Sequence, residues 1–424
     1  MSAWDVIVIG GGTAGVVAAV QSGRAGAKTL LVEKTGVLGG TMTNGGVSFV
    51  SLFHAWGRQV VAGIGWELVS KCLEECGHAP PEHPEPVEES YVKGVHIDPC
   101  VYAALADEAV LDSGTALLMH TMIAGLAHGG DGWSVTLCTK TGLREETARV
   151  VVDCTGDANA AALAGLEVVY PETCQPGTQV FRLTGYDAGA VDMEAVQRAF
   201  DEALAAGEVH PTDITWNLTN VDVAAYLRYG GGNCGHICGV DGATSEGRTG
   251  AELAGRQAFL RLYRFLRRQP GLENVRASYF APECGIRETA VIRGDGTVTV
   301  DDYTSGRMYD DALCYSLYPV DLHIDDGRGV DWHRPEPGVY PKIPRAAMLP
   351  AGADGFAVAG RCISSDRLAN SALRVEGSCM AIGQAAGAMA ALSARERLEM
   401  RDLGIESIRD LLREHGAIVP PDLG

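Results

Sequence analysis

Positive charge and aromatic side chains are both scarce in this chain. Only 34 lysines and arginines stand against 54 acidic residues, and Phe, Trp and Tyr make up 6% of the 424 residues. A formal charge of −20 argues against nucleic acid or an anionic membrane surface as the main partner, since both repel an acidic protein. No run is apolar enough to span a bilayer: the stretch Ser371 to Leu392 contains Arg374, Glu376 and Gln384 and reads as a buried helix. No CxxC motif occurs. The nearest patterns, Cys72/Cys76 and Cys234/Cys238 with His236 between them, lack the spacing and the second pair of a zinc ribbon, so no metal is expected. The twelve cysteines are scattered, and a motif is already under way at Ile7. Together these features predict reduced thiols in a cytoplasmic protein without a cleaved leader.

Glycine, by contrast, is abundant, and its placement carries the first signal. Gly10, Gly12 and Gly15 follow the apolar run Val6–Ile9 in a G-x-G-x-x-G pattern. The first glycine permits a tight turn, the second lets the backbone approach a pyrophosphate, and the third lets a helix pack on the strand. The start of that helix, with Thr13 and Ala14, offers unpaired N–H groups to phosphate. A helix is expected from Ala14 to Arg24, then a strand over 28–32 ending at Glu33, an acid placed to accept hydrogen bonds from a ribose. Lys34 follows directly. This is a complete βαβ dinucleotide unit.

Two further segments favour FAD over NAD. A glycine-rich loop, Leu38 to Gly46 and including Gly40 and Thr41, comes straight after the acid, where a longer cofactor can run close to the backbone. Near the far end, Phe356–Ala359 reads as a strand ending in Gly360-Arg361. A loop and a small-residue helix through Glu376, Gly377 and Ser378 follow. The start of that helix suits negative charge on a reduced flavin ring.

These stretches, with VVVDCTGDA (150–158), GIRET (285–289) and YPVDLH (318–323), resemble the FAD-dependent oxidoreductases of the glutathione-reductase-like superfamily. The nearest resemblance is to the bacterial group labelled xanthan lyase. The resemblance implies a Rossmann-like α/β FAD-binding domain of glutathione-reductase type with an inserted mixed α+β substrate domain. It also implies that Thr155, Gly156 and Asp157 form the turn returning to the cofactor. Many such proteins end the last strand in Gly-Asp or Gly-Glu. This chain has Arg361 in place of that acid, which leaves Asp366 as the candidate for the ribityl contact.

Residues 1–159 and 351–424 are therefore expected to form a discontinuous FAD-binding domain around a substrate domain at 160–350. Within the latter, helices are predicted over Met193–Ala206 and Ala251–Arg268, the second with Leu253, Phe259, Leu260 and Phe265 among its apolar positions. Its arginines, Arg256, Arg261, Arg264, Arg267 and Arg268, are expected to pair with surface carboxylates. The segment 78–86, HAPPEHPEP, reads as a stiff surface crossing.

Two side chains are candidates for the chemistry. Arg287, in a glycine-flanked turn, can grip a carboxylate as a fork; an ion pair with Glu288 is the competing role. The family resemblance leads one to expect a second Arg in this motif, and its absence weakens the case for a doubly anionic substrate. His323 alternates with Asp321 on a predicted strand, where the acid raises the basicity of the imidazole. It is placed to take a hydroxyl proton as hydride leaves; a purely structural bond to Asp321 is the alternative. His54, Tyr91 and His96 are weaker candidates for the pocket wall. The expected activity is hydride transfer between FAD and a small polar molecule. NAD(P)H and O₂ are both candidate redox partners, which leaves an oxidase, a monooxygenase or an electron-transfer subunit as alternatives.

Overall fold

The computed structural model describes residues 4–81, 94–130, 132–218, 220–326 and 329–423. At its centre lies β1 (Trp4–Ile9), apolar on both faces because both faces are covered. It runs parallel to β2 (Thr29–Val32) on one side and to the end of a long strand, β6 (Gly142–Asp153), on the other. The sheet continues through β3 (Ala116–Leu118) beyond β2. On the far side, β4 (Met122–Gly129) and β5 (Gly132–Thr139) form an antiparallel meander with the first half of β6. A strand from the far end of the chain, β7 (Phe356–Val358), pairs in parallel with Val151–Asp153. The result is a mixed α/β architecture with a Rossmann-like parallel core.

Side-chain alternation divides β1 between two cores. Val6 and Val8 join a cluster with Val16 and Val17 of α1 (Thr13–Arg24), whereas Ile7 and Ile9 pack with Trp133, Val151 and Phe356. The predicted C-terminal helix proves to be two. α3 (Arg367–Leu373) stops, Arg374 and Val375 intervene, and α4 (Glu376–Glu396) begins with Val375 in an extended conformation. α4 lies against α1 at backbone contact. A methyl group on Gly383 would come within 2.2 Å of the Ala14 carbonyl oxygen, and one on Gly387 within 2.3 Å of that of Ala18. The small residues of this helix thus serve close packing.

Between β6 and β7 the chain builds small sheets and helices. Phe181, Phe200, Leu227 and Phe265 share an apolar core of their own, while Leu313, Tyr315 and Ile343 join the core around α1 and α4. The predicted helices occupy Met193–Ala205 and, as α2, Ser245–Leu266. α2 starts earlier than expected because Thr244 caps it by accepting from the Gly247 N–H. Its buried side carries Ala251, Leu262 and Phe265, so Leu253 and Leu260, expected among the apolar positions, point outward at 53% and 42% exposure. Arg256, Arg261 and Arg268 pair with Glu252, Asp213 and Glu208. Among the described residues no helix is long and apolar enough to cross a membrane.

Candidate functional site

The glycine turn after β1 holds three different constraints. Gly10 has φ +100°, and a methyl there would lie 2.5 Å from the Cys154 carbonyl oxygen; one on Gly15 would lie 1.8 Å from that of Gly10. Both glycines serve the fold itself. Gly12 is different, for the nearest atom to an added methyl is 3.8 Å away, so its openness is toward the adjacent cleft. The loop at 38–46 is tied to this turn by a hydrogen bond from Gly39 N–H to the Gly11 carbonyl, 2.9 Å. Glu33 completes the unit: one carboxylate oxygen accepts from Gly11 N–H at 2.7 Å, the other from the Thr35 N–H and hydroxyl, both at 2.8 Å.

These residues form one part of the wall of a cleft of about 620 Å³, within the range of small-molecule and cofactor sites. The structure brings to that wall Gly10, Gly12, Thr13, Ala14, Glu33, Lys34, Gly40, Thr41, Thr155, Gly156, Asp157, Gly360, Arg361 and Glu376, and also Arg287 and His323. Three predicted cofactor residues are not on it. Gly15 is behind the turn, Gly377 sits beside the Leu52 carbonyl, and the Ser378 hydroxyl lies 2.7 Å from that of Ser316 in a buried network. Of α4, Glu376 and, one turn on, Cys379 line the cleft, while Gly377 and Ser378 between them rotate inward.

The expected substitute acid also fails to reach. Asp366 caps α3 through Ala369 N–H at 2.7 Å and accepts from Val300 N–H at 2.7 Å. His54 packs edge-on against Trp66 and His96 against Phe49, neither on the cleft. Tyr91 and part of the 78–86 segment lie outside the described residues.

Arg361 shows what replaces an acid after β7. Its guanidinium donates to the Gly156 carbonyl at 2.7 Å and also to the Ile286 carbonyl and Asp157. Asp157 further accepts from Arg248 at 2.6 Å and from the Thr289 hydroxyl at 2.9 Å. Burial alone would raise its carboxyl; Arg361 and Arg248 overcome this and hold it below the ordinary carboxylate range. Lys34 pairs with Glu283 at 3.1 Å, and Thr155 donates to Asp153 at 2.7 Å.

A second polar group lines the same cleft. The strand Val320–His323 presents Asp321 and His323, with His323 Nε2 3.5 Å from Asp321 Oδ2. His323 Nδ1 meets Nε2 of His236 at 2.9 Å. Trp216 stands edge-on to the His323 ring, centroids 6.2 Å apart. Arg287 is not paired with Glu288, which instead takes a bidentate bond from Arg367 at 2.8 and 3.0 Å. Its Nη1 donates to the Pro176 carbonyl at 2.6 Å and the Thr178 hydroxyl at 2.8 Å. Burial, and after it the charge of Arg374, lowers Arg287 to about 10. Burial and the Arg287 charge lower His323 to about 4 against the opposing pull of Asp321, and His236 is lowered further for the same first two causes. Both imidazoles are therefore neutral at pH 7. Glu376, buried at the start of α4, is raised to about 7 by desolvation.

Sequence reasoning had no grounds to choose His236 or Arg374. His236 carried no pattern beyond two flanking cysteines, and Arg374 was lost inside an apparently continuous helix.

The donor set fits a dinucleotide. Gly12 leaves open backbone beside the N–H groups that begin α1, and both α1 and α4 start at the cleft without a side-chain cap. Asp98, Asp192, Asp222, Thr244, Thr299 and Asp366 cap other helices, while those at Ile64–Glu75, Asn159–Leu163 and Ile405–Glu414 are likewise uncapped. Uncapped starts leave N–H groups for an anionic ligand. Comparison with known proteins agrees. The family of FAD dependent oxidoreductases matches residues 5–412. Dihydrolipoyl dehydrogenase of Trypanosoma brucei brucei is 49% identical over 53 residues, 12% of this chain and 11% of that protein. Leghemoglobin reductase of Glycine max is 55% identical over 52 residues, 12% and 10% of the two chains. The match thus spans about a tenth of the length of these relatives. Among solved structures, a geranylgeranyl bacteriochlorophyll reductase-like protein of Thermoplasma acidophilum superposes with TM-score 0.42 at 13% identity over 97% of this chain and 90% of its own. Anhydrotetracycline hydroxylase of Streptomyces rimosus superposes with TM-score 0.30 at 15% identity over 43% and 38%.

Proposed function

The chain belongs to the FAD-dependent oxidoreductase family, and on that premise we propose that it moves a hydride between FAD and a small polar organic substrate. One observation carries this reading: the cluster of Arg287, Asp321 and His323 lines the same cleft as the glycine turn. FAD supplies the two-electron chemistry when bound. The residues of the turn, Glu33 and Gly40–Thr41 hold the adenosine and pyrophosphate side, and Gly156, Arg361 and Glu376 hold the flavin side.

The chain's own work is to orient the substrate and manage its proton. Arg287, anchored through Nη1, presents a fixed fork to a polar group. The hydroxyl or amine proton passes to the Asp321–His323 pair, whose imidazole is held at Nδ1 by His236. The Asp321 carboxylate, 3.5 Å away, then stabilises the imidazolium.

The same reading assigns 1–159 with 351–424 to a glutathione-reductase-type cofactor domain and 160–350 to a substrate domain. The separate core around Phe181 and Phe265 supports a distinct inserted unit. The motifs alone favour the group labelled xanthan lyase, and twelve free thiols suit a cytoplasmic setting. NAD(P)H and O₂ remain the candidate redox partners.

The test is the visible spectrum of the anaerobic holoenzyme before and after NADH, NADPH, or a panel of alcohols, amines and hydroxy acids. Bleaching by a member of either group is expected, with His323→Ala retaining flavin and losing turnover. A holoenzyme bleached by none of them, or a His323→Ala variant with full turnover, would sink the assignment.

A further inference from the structure

We infer that the substrate is a monocarboxylate, its carboxylate held between the guanidinium groups of Arg287 and Arg374; this rests on the oxidoreductase reading above. No second Arg stands beside Arg287 in GIRETA (285–290), yet the fold delivers one from elsewhere. Arg374 occupies the two-residue break between α3 and α4 and lines the cleft, its side chain 14% exposed. Among the described residues both of its hydrogen bonds leave from Nη2, to the Asp321 carbonyl at 3.1 Å and Gln175 Oε1 at 3.4 Å. Its Nε is buried without a partner. Arg287 is similarly half-used: Nη1 makes two short bonds, whereas Nη2 has only a 3.5 Å contact to Asn233 Oδ1.

Charge decides the class of ligand. Facing these two cations are one carboxylate, Asp321, 3.6 Å from Arg374, and two neutral imidazoles, His236 and His323. Neighbouring acids are committed elsewhere, Glu288 to Arg367 and Asp157 to Arg248 and Arg361. Glu376, raised to about 7 by burial, is only part-ionised at neutral pH. Arg287 and Arg374 against Asp321 leave one positive charge, only partly offset by Glu376, in a half-buried setting where an uncompensated charge is costly. A single carboxylate neutralises it; a dianion overcompensates. Paired guanidinium groups also match the planar geometry of a carboxylate. The same binding event acts on the base. Arg287 and Arg374 both lower His323, so an anion seated on them restores its basicity, and a neutral analogue does not.

The test titrates the holoenzyme with benzoate, benzamide and phthalate, reading the flavin difference spectrum and the heat of binding. Benzoate is expected to bind about tenfold or more tighter than either of the others. Arg374→Gln and Arg287→Lys are each expected to weaken benzoate by about tenfold or more with flavin content and Tm retained. Benzamide binding as tightly as benzoate, no benzoate binding, or an Arg374→Gln variant of unchanged benzoate affinity overturns the inference. The two readings fail separately. Flavin bleached by a neutral donor with no benzoate binding removes only the carboxylate. Arginine-dependent benzoate binding with no donor found removes only the hydride reading.

Discussion

His236 Nε2 lies 2.9 Å from Nδ1 of His323, a hydrogen bond between two buried imidazoles 87 residues apart in the chain. It fixes the orientation of the His323 ring and holds its Nε2 3.5 Å from Asp321 Oδ2.

This arrangement makes a kinetic prediction. His323→Asn should lower kcat by roughly 10²–10⁴, the usual worth of a general base, with flavin retained. His236→Asn should cost about tenfold, as expected for one hydrogen bond in a positioning role. In the wild type the acidic limb of kcat/KM should fall near pH 4, because the base must be neutral and His323 is lowered to about 4. A pH profile for His236→Asn that overlays the wild type would reduce the pair to a structural contact.

The glycines of the first turn should separate binding from folding. Gly12→Ala meets nothing closer than 3.8 Å, so it should fold with wild-type circular dichroism and Tm yet bind FAD poorly. Gly10→Ala would force φ +100° on a residue with a side chain and place its methyl 2.5 Å from Cys154 O, so stability itself should fall. Equal FAD content in Gly12→Ala and wild type would show that the cofactor does not approach there.

Where α1 meets α4, Gly383→Ala drives a methyl to 2.2 Å from the Ala14 carbonyl oxygen. Overpacking of this kind costs about 1–3 kcal/mol, measurable as a drop in the urea midpoint. An unchanged midpoint would mean that the two helices separate freely.

Glu376 ties stability to pH. Its carboxyl is raised from an ordinary 4.5 to about 7 in the fold, so between those values the folded chain keeps a proton that the unfolded chain has lost. Its contribution is therefore complete below pH 4.5 and is lost as pH rises through 7. Glu376→Gln, neutral at every pH, should match the wild type at pH 4 and exceed it at pH 8 by roughly 3 kcal/mol. Equilibrium denaturation at the two pH values checks this; no gain at pH 8 would mean the buried carboxylate is otherwise compensated.

Much of the cofactor side was legible in the sequence because its constraints are local. Gly10, Gly12, Gly15 and Glu33 sit in one βαβ unit, where each spacing follows from strand, turn and helix geometry. The alternation of Asp321 and His323 was equally readable from strand period. Misplacements came where a local rule met a tertiary choice. Ser378 and Gly377 were expected beside the cofactor, but the helical rotation after Glu376 carries them inward. Leu253 and Leu260 fit a helical pattern, yet the neighbours of α2 cover a different side.

What the sequence by itself determined is the cofactor-binding chemistry: a strand, a glycine turn, a helix and an acid in an order that suits a dinucleotide. What only the tertiary structure decided is which charges face the cleft together. Arg287, Arg374, Asp321 and His236 come from four separate segments, and no periodicity relates them. Their meeting depends on how the chain between β6 and β7 packs against α3 and α4, an outcome of long-range burial that local pattern does not encode.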